Sequence, residues 1–95
     1  GSSMAYSMTK AALNQMTKLM AKSCWPVRIN AVAPGLIETP WTADWDAMHT
    51  NVAKSAPLKR SGTPDDCTEA TLGLLRTKYA TGQIFVVDGG LTLMS

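Results

Sequence analysis

Long apolar runs are missing from this sequence of 95 residues. None approaches the ~18 residues that a membrane-spanning helix requires, and no basic segment leading into an apolar one suggests a signal peptide. Cysteine is scarce. Cys24 and Cys67 are too few for a disulfide scaffold, and they read as two reduced, partly buried thiols in a cytoplasmic setting. Histidine occurs once, at His49, with no Cys or carboxylate at ligand spacing, so no metal site is expected. The net charge of +2 is too small and scattered for a nucleic-acid footprint, and no basic patch is interleaved with aromatics. Repeats and low-complexity stretches are also lacking. What is there is ordinary for a globular chain: 45% apolar residues argue against overall disorder, and the length allows one domain at most. Charge is uneven only along the chain, with four bases and no acid in residues 1–37 and all seven acids after them. The opening Gly1-Ser2-Ser3, with a first methionine at Met4, resembles a tag remnant or an internal cut more than a natural start.

Residues 4–24 predict a helix, with Ala5, Met8, Ala12, Met16 and Leu19 forming one stripe and Leu13, Met16, Met20 and Cys24 another. Ser2 or Ser3 could cap it, and Pro26 stops it. The width of the two stripes predicts packing on more than one side. Residues 27–33 read as a strand, apolar on both faces at its far end, as in a parallel sheet between helices. Pro34-Gly35 is a turn signal. Residues 36–61 show no clean period and hold Trp41, Trp45 and Met48, with a short helix expected near 43–54. An irregular segment of this length is more often functional than idle. Thr63-Pro64-Asp65-Asp66 is a strong helix start, running to about Arg76. Residues 83–87 form a second apolar strand, and Asp88-Gly89-Gly90 turns the chain. Helix, strand, long loop, helix, strand implies α/β architecture with a parallel pair. Two such strands cannot bury both faces alone.

Tyr6 and Lys10 lie four apart, one turn from each other on the same helix face. A cation beside a phenol favours the phenolate, and such a tyrosine can give or take a proton at a carbonyl or alcohol. The pair alone is a weak signal, since this spacing is common on helix surfaces. The bland readings of other residues are stronger. Asp65-Asp66 reads as helix-end electrostatics, Lys18 and Lys22 as a solvated face, Cys67 as core and His49 as a surface or lid residue. Trp41 and Trp45 divide between pocket wall and core.

Four stretches in order carry more: Tyr6-Ser7-Met8-Thr9-Lys10, Asn30-Ala31-Val32-Ala33-Pro34-Gly35-Leu36-Ile37-Glu38-Thr39-Pro40, Ser61 to Asp66, and Thr81 to Gly90. Together they closely resemble the C-terminal half of a short-chain dehydrogenase/reductase, over about residues 5–92. The resemblance implies the C-terminal part of a Rossmann-like, doubly wound parallel sheet. It implies reversible hydride transfer between NAD or NADP and a small carbonyl or alcohol, the cofactor carrying the hard chemistry. Tyr6 looks like the acid/base. Lys10 looks like the lysine that assists it and binds the nicotinamide ribose. Pro34 and Gly35 match the turn under the nicotinamide ring, Ile37 and Thr39 the residues that hold the carboxamide by backbone and by hydroxyl, and Asn30 a structural polar residue in the sheet. Residues 36–61 correspond to the substrate lid, with Trp41, Trp45 and Met48 as candidate pocket walls. A dimer or tetramer is implied too, as the helix bearing Tyr-x-x-x-Lys packs between subunits in the family.

The departures matter equally. No Gly-x-x-x-Gly-x-Gly or Gly-x-Gly-x-x-Gly occurs, so the pyrophosphate cradle is absent. Only five residues precede Tyr6, too few to hold the family's catalytic serine or asparagine. The links from Lys10 to Arg28 and from Leu75 to Gly82 look short. The rival expectation is a non-catalytic piece that serves as an assembly surface, completed by a missing N-terminal half or by another copy. The coding sequence upstream of Met4 separates the two: a Gly-rich turn there restores the enzyme, and a true start codon at Met4 favours the rival.

Overall fold

The first helix follows from its composition. Good helix formers fill α1, Met4–Ser23, and the chain then turns through Val27 N–H to Cys24 C=O at 2.9 Å. The computed structural model describes residues 4–94, so a cap at Ser2 or Ser3 lies outside the described residues. Only Thr17 and Ala21 of α1 are buried. Ala21 faces Gly82, where an added Cβ would sit 3.4 Å from it. The expectation of packing on more than one side is therefore corrected: Met4, Met8, Leu13, Met16, Leu19 and Met20 are all exposed. Cys24 is exposed rather than partly buried, and Cys67 is half-buried rather than core.

The strand expected over 27–33 is β1, Ala31–Pro34. It is shorter because residues 28–30 use their polar groups to close the far end of the unit. The Arg28 guanidinium donates to Leu74 C=O and Leu75 C=O at 3.0 and 2.8 Å, and to Ala80 C=O at 3.2 Å. A cation there suits the carbonyl end of a helix. Asn30 donates to Ala80 C=O at 3.1 Å and accepts from Gln83 N–H at 3.0 Å, which confirms it as a structural polar residue. β1 pairs in parallel with β2, Ile84–Val87, in the register Ala31 with Ile84 through Pro34 with Val87.

Between the strands lie a 3-10 turn at Pro40–Thr42, helix α2 at Asp46–Ser55 and helix α3 at Pro64–Arg76. The start of α3 is as read from sequence. Thr63 Oγ1 accepts from Asp66 N–H at 3.2 Å, and Asp66 accepts from Thr63 N–H at 2.8 Å, a reciprocal cap. Arg60 grips the same carboxylate at 2.7 and 3.2 Å. Hydrogen bonds from Arg60, then from Thr63, hold the Asp66 carboxyl well below the usual carboxylate range. Its contribution to stability is thus present above the ordinary value near ~4 and is lost as pH falls below it. The protein should lose stability progressively in acid, and Asp66→Asn should flatten that loss; denaturant midpoints measured across the acid range check this.

β1 ends at a close crossing. Gly35 N–H donates to Val87 C=O at 2.9 Å, and a Cβ on Gly35 would lie 2.7 Å from Asp88 Cβ. Only glycine fits without displacing the turn. Burial pushes Asp88 up, but bonds from Thr92 N–H at 3.0 Å and Gly90 N–H at 2.9 Å bring it net below its ordinary value. Gly35→Ala should destabilise the fold by about 1–3 kcal/mol, the usual cost of overpacking, as a lowered unfolding midpoint.

The core is thin. Ala21, Val52, Ala56 and Ala70 are its buried apolar members, and among the described residues no large side chain is fully buried. The accessible surface is 7139 Å², against about 5,300 Å² expected for a folded monomer of this mass. The radius of gyration is 14.8 Å, against about 12–13 Å for a compact domain of this length. Among the described residues no helix is long and apolar enough to cross a membrane.

Candidate functional site

Tyr6 and Lys10 stand on the exposed N-terminal turns of α1, with Lys10 Nζ 5.3 Å from the centre of the Tyr6 ring. That lies within cation–π range. The helical spacing read from sequence thus does bring phenol and ammonium together. Thr9 secures the turn by donating its hydroxyl to Tyr6 C=O at 2.7 Å.

A second candidate element, with no contact to Tyr6 or Lys10 among the described residues, is the segment that follows β1. After the Pro34-Gly35 turn, Leu36 C=O accepts from Gly62 N–H, and Gly62 C=O accepts from Glu38 N–H, both at 2.8 Å. In such a parallel bridge the N–H and C=O of Ile37 point to the other side. The Ile37 C=O takes the Thr42 hydroxyl at 2.6 Å. The Ile37 N–H has no hydrogen-bond partner among the described residues. Thr39 caps the 3-10 turn: its Oγ1 accepts from Thr42 N–H at 3.3 Å, while its own N–H donates to Thr42 Oγ1 at 3.0 Å. One backbone donor and one hydroxyl are therefore held two residues apart, just past the carboxyl end of a parallel strand. Ligands of open α/β sheets bind at that end.

The lid candidates separate. Trp41 is 81% exposed, and Trp45 is half-buried against it, ring centres 5.6 Å apart and planes inclined by 58°. Met48 is exposed on α2. The short helix expected near 43–54 is present as α2. A cleft of about 340 Å³ lies beside β2, lined by Leu58, Arg60, Asp66, Ala70, Phe85 and Val87. Tyr6, Lys10, Ile37 and Thr39 are not among its lining residues.

Of the buried polar residues, Thr42 and Ser61 lie beside the segment after β1, and the sequence reading foresaw the burial of neither. His49 lies on α2, within the expected lid segment, and only its reading as a surface residue is corrected. It is half-buried and bridges both of them, Nδ1 to Ser61 Oγ and Nε2 to Thr42 C=O at 2.9 Å. Nothing in residue spacing could have paired 49 with 61.

The chain matches the family model described as enoyl-(acyl carrier protein) reductase over residues 1–92. It is 47% identical, over 99% of its length, to a Streptomyces violaceoruber protein named for ketoacyl reduction in granaticin polyketide synthesis, and covers 39% of that protein. It is 43% identical to carbonyl reductase family member 4 of Danio rerio, over 94% of this chain and 38% of the relative. The chain thus spans about two fifths of the length of these relatives. A short-chain dehydrogenase/reductase homolog of Bacillus subtilis is nearer in size: at 35% identity the match covers 98% of this chain and 73% of that one. Among solved structures, a small-chain dehydrogenase in complex with NADPH superposes with a TM-score of 0.82 at 35% identity, over 87% of this chain and 40% of that one. A 3-oxoacyl-(acyl-carrier protein) reductase from Brucella melitensis superposes with a TM-score of 0.86 at 35% identity, over 93% and 35%.

Proposed function

Because the chain belongs to the short-chain dehydrogenase/reductase family and has its α/β Rossmann fold, we propose that it forms the nicotinamide and proton-transfer end of an NAD(P)-dependent carbonyl reductase. The observation that carries this reading is the pairing of Tyr6 with Lys10 on one exposed helix face, in a chain whose strand end also presents Ile37 N–H beside the Thr39 hydroxyl.

The fit to a nicotinamide is local and specific. Gly35 leaves no room for a side chain at the turn, so backbone lies bare there. Ile37 N–H suits a carboxamide oxygen, and Thr39 retains hydroxyl capacity beyond its cap. The bound cofactor would supply the hydride. Tyr6 gives its phenolic proton to the substrate oxygen as negative charge builds there, and takes it back in the reverse direction. Lys10 stabilises the phenolate left behind and presents its ammonium to ribose hydroxyls. Trp41 with Trp45 packed against it, and Met48 on α2, are apolar side chains available to line the substrate side, which would favour small or moderate carbonyl substrates. The NADPH complex of a relative supports use of NAD or NADP. The relatives named as ketoacyl and carbonyl reductases support a carbonyl substrate. Both cysteines are free, which supports a reducing compartment such as the cytoplasm. The large exposed apolar surface supports pairing with a cofactor-binding half and assembly into a dimer or tetramer.

The test is substitution of Thr39 in a full-length family protein carrying this chain. Thr39→Val should weaken NAD(P)H binding by about 1 kcal/mol, the net value of one hydrogen bond, read by calorimetric titration. An unchanged dissociation constant contradicts the assignment. A second reading, an assembly piece without catalysis, draws support from the Bacillus subtilis homolog, of which this chain covers 73%. It predicts no cofactor binding by the natural protein under any condition.

A further inference from the structure

We infer that His49 is a positioning residue, a latch by which the lid helix α2 fixes the geometry of the carboxamide-binding segment 37–42. This rests on the proposed nicotinamide site and adds to it a residue outside the family motifs identified in the sequence. The imidazole touches both arms of that segment. On one side its Nε2 meets Thr42 C=O at 2.9 Å. Thr42 is buried, and its hydroxyl both donates to Ile37 C=O and accepts from Thr39 N–H. On the other side Nδ1 meets the hydroxyl of Ser61, also buried, next to the Gly62 that brackets Ile37 through Leu36 C=O and Glu38 N–H. One ring thus ties the 3-10 turn to the strand-like segment that faces it.

The protonation pattern follows from the partners. A carbonyl only accepts, so Nε2 carries the proton. In the neutral ring Nδ1 then accepts from Ser61. Loss of the ring leaves Thr42 C=O with only the Trp45 N–H at 3.0 Å and leaves the buried Ser61 hydroxyl without its acceptor. Both changes loosen the turn whose N-cap is Thr39. The helix itself has separate anchors, because Val52 and the fully buried Ala56 bury its C-terminal end. Loosening of the turn is therefore separable from unfolding.

The experiment uses the full-length protein with three chains compared: wild type, His49→Leu and His49→Gln. Glutamine carries a donor amide and an acceptor oxygen on one carbon, close to the spacing of the two ring nitrogens, and it does not titrate. Amide hydrogen exchange is followed at Glu38, Thr39 and Thr42, and NADH and NADPH are titrated separately. The expected result is at least tenfold faster exchange at Thr39 and Thr42 in His49→Leu, weaker cofactor binding by about fivefold, and recovery of both in His49→Gln. Unchanged exchange in His49→Leu overturns the latch. So does faster exchange with undiminished affinity in a wild type that binds cofactor. A wild type that binds neither cofactor refutes the nicotinamide site instead, while the exchange rates still judge whether His49 holds the segment.

Discussion

Replacing Tyr6 with phenylalanine should lower turnover by a factor on the order of 10³, in a full-length family protein carrying this chain. General acid catalysis supplies ~10²–10⁴, and 10³ corresponds to about 4 kcal/mol of barrier. Tyr6 is 53% exposed on a helix held elsewhere by Thr17 and Ala21, so loss of its hydroxyl should leave the unfolding midpoint nearly unchanged. The loss should fall on kcat rather than on cofactor affinity, because the proposed role of the phenol is at the substrate oxygen. Steady-state kinetics with either cofactor and a simple ketone checks it. Full activity in Tyr6→Phe removes the phenol from the mechanism. Lys10→Met should cost both rate and cofactor affinity, since in the proposed mechanism one ammonium serves phenolate and ribose.

The second large effect concerns the chain of 95 residues by itself. It should fail to bind NADH or NADPH at micromolar concentration, and it should associate. The sequence has no glycine-rich turn to place a pyrophosphate on a helix N-terminus. What it presents is one donor, one hydroxyl and an ammonium, too little to hold a dinucleotide. The surface argues for association. It exceeds the expectation for its mass by about 1,800 Å², more than the ~800 Å² that each partner gives to a standard interface. α1 contributes much of this, with Met4, Met8 and Leu19 exposed. The strands add to it, since a sheet of two short strands leaves unpaired edges. Light scattering beside calorimetric titration reads both parts. A monomer that binds either cofactor at micromolar concentration contradicts them.

Local signals in the sequence carried where local physics decides. Thr63, Pro64 and Asp66 announce the start of α3, because capping involves residues within one turn of each other. The continuous apolar run at 84–87 and the Pro34-Gly35 turn announce the parallel pair. The four motifs in order pointed to the family over nearly the whole chain, which the match over residues 1–92 bears out. The errors arise where distant residues compete. β1 is shortened because Arg28 and Asn30 spend their polar groups on carbonyls some fifty positions away. α1 carries apolar stripes that this chain leaves uncovered, so its wide face predicted burial that its own residues do not provide. His49 is the sharpest case. A lone histidine at this place reads as a surface or lid residue, and only the folded loop reveals Ser61 and Thr42 on either side of it. Of the site, the Tyr6–Lys10 pair was legible as helical spacing. The roles of Ile37 and Thr39 came from resemblance alone, and their geometry required the bridge to Gly62 and the cap by Thr42.

The segment after β1 is proposed to receive the nicotinamide end of a dinucleotide. The most direct test of that assignment is a titration of the isotopically labelled full-length protein with NADH and with NADPH, followed at the backbone amides. Saturable shifts are expected at Ile37 and Thr39 with at least one of the two cofactors, and in Thr39→Val the same shifts should need about fivefold more cofactor, the equivalent of about 1 kcal/mol. Tight cofactor binding that leaves the amides of 35–39 unmoved would contradict it.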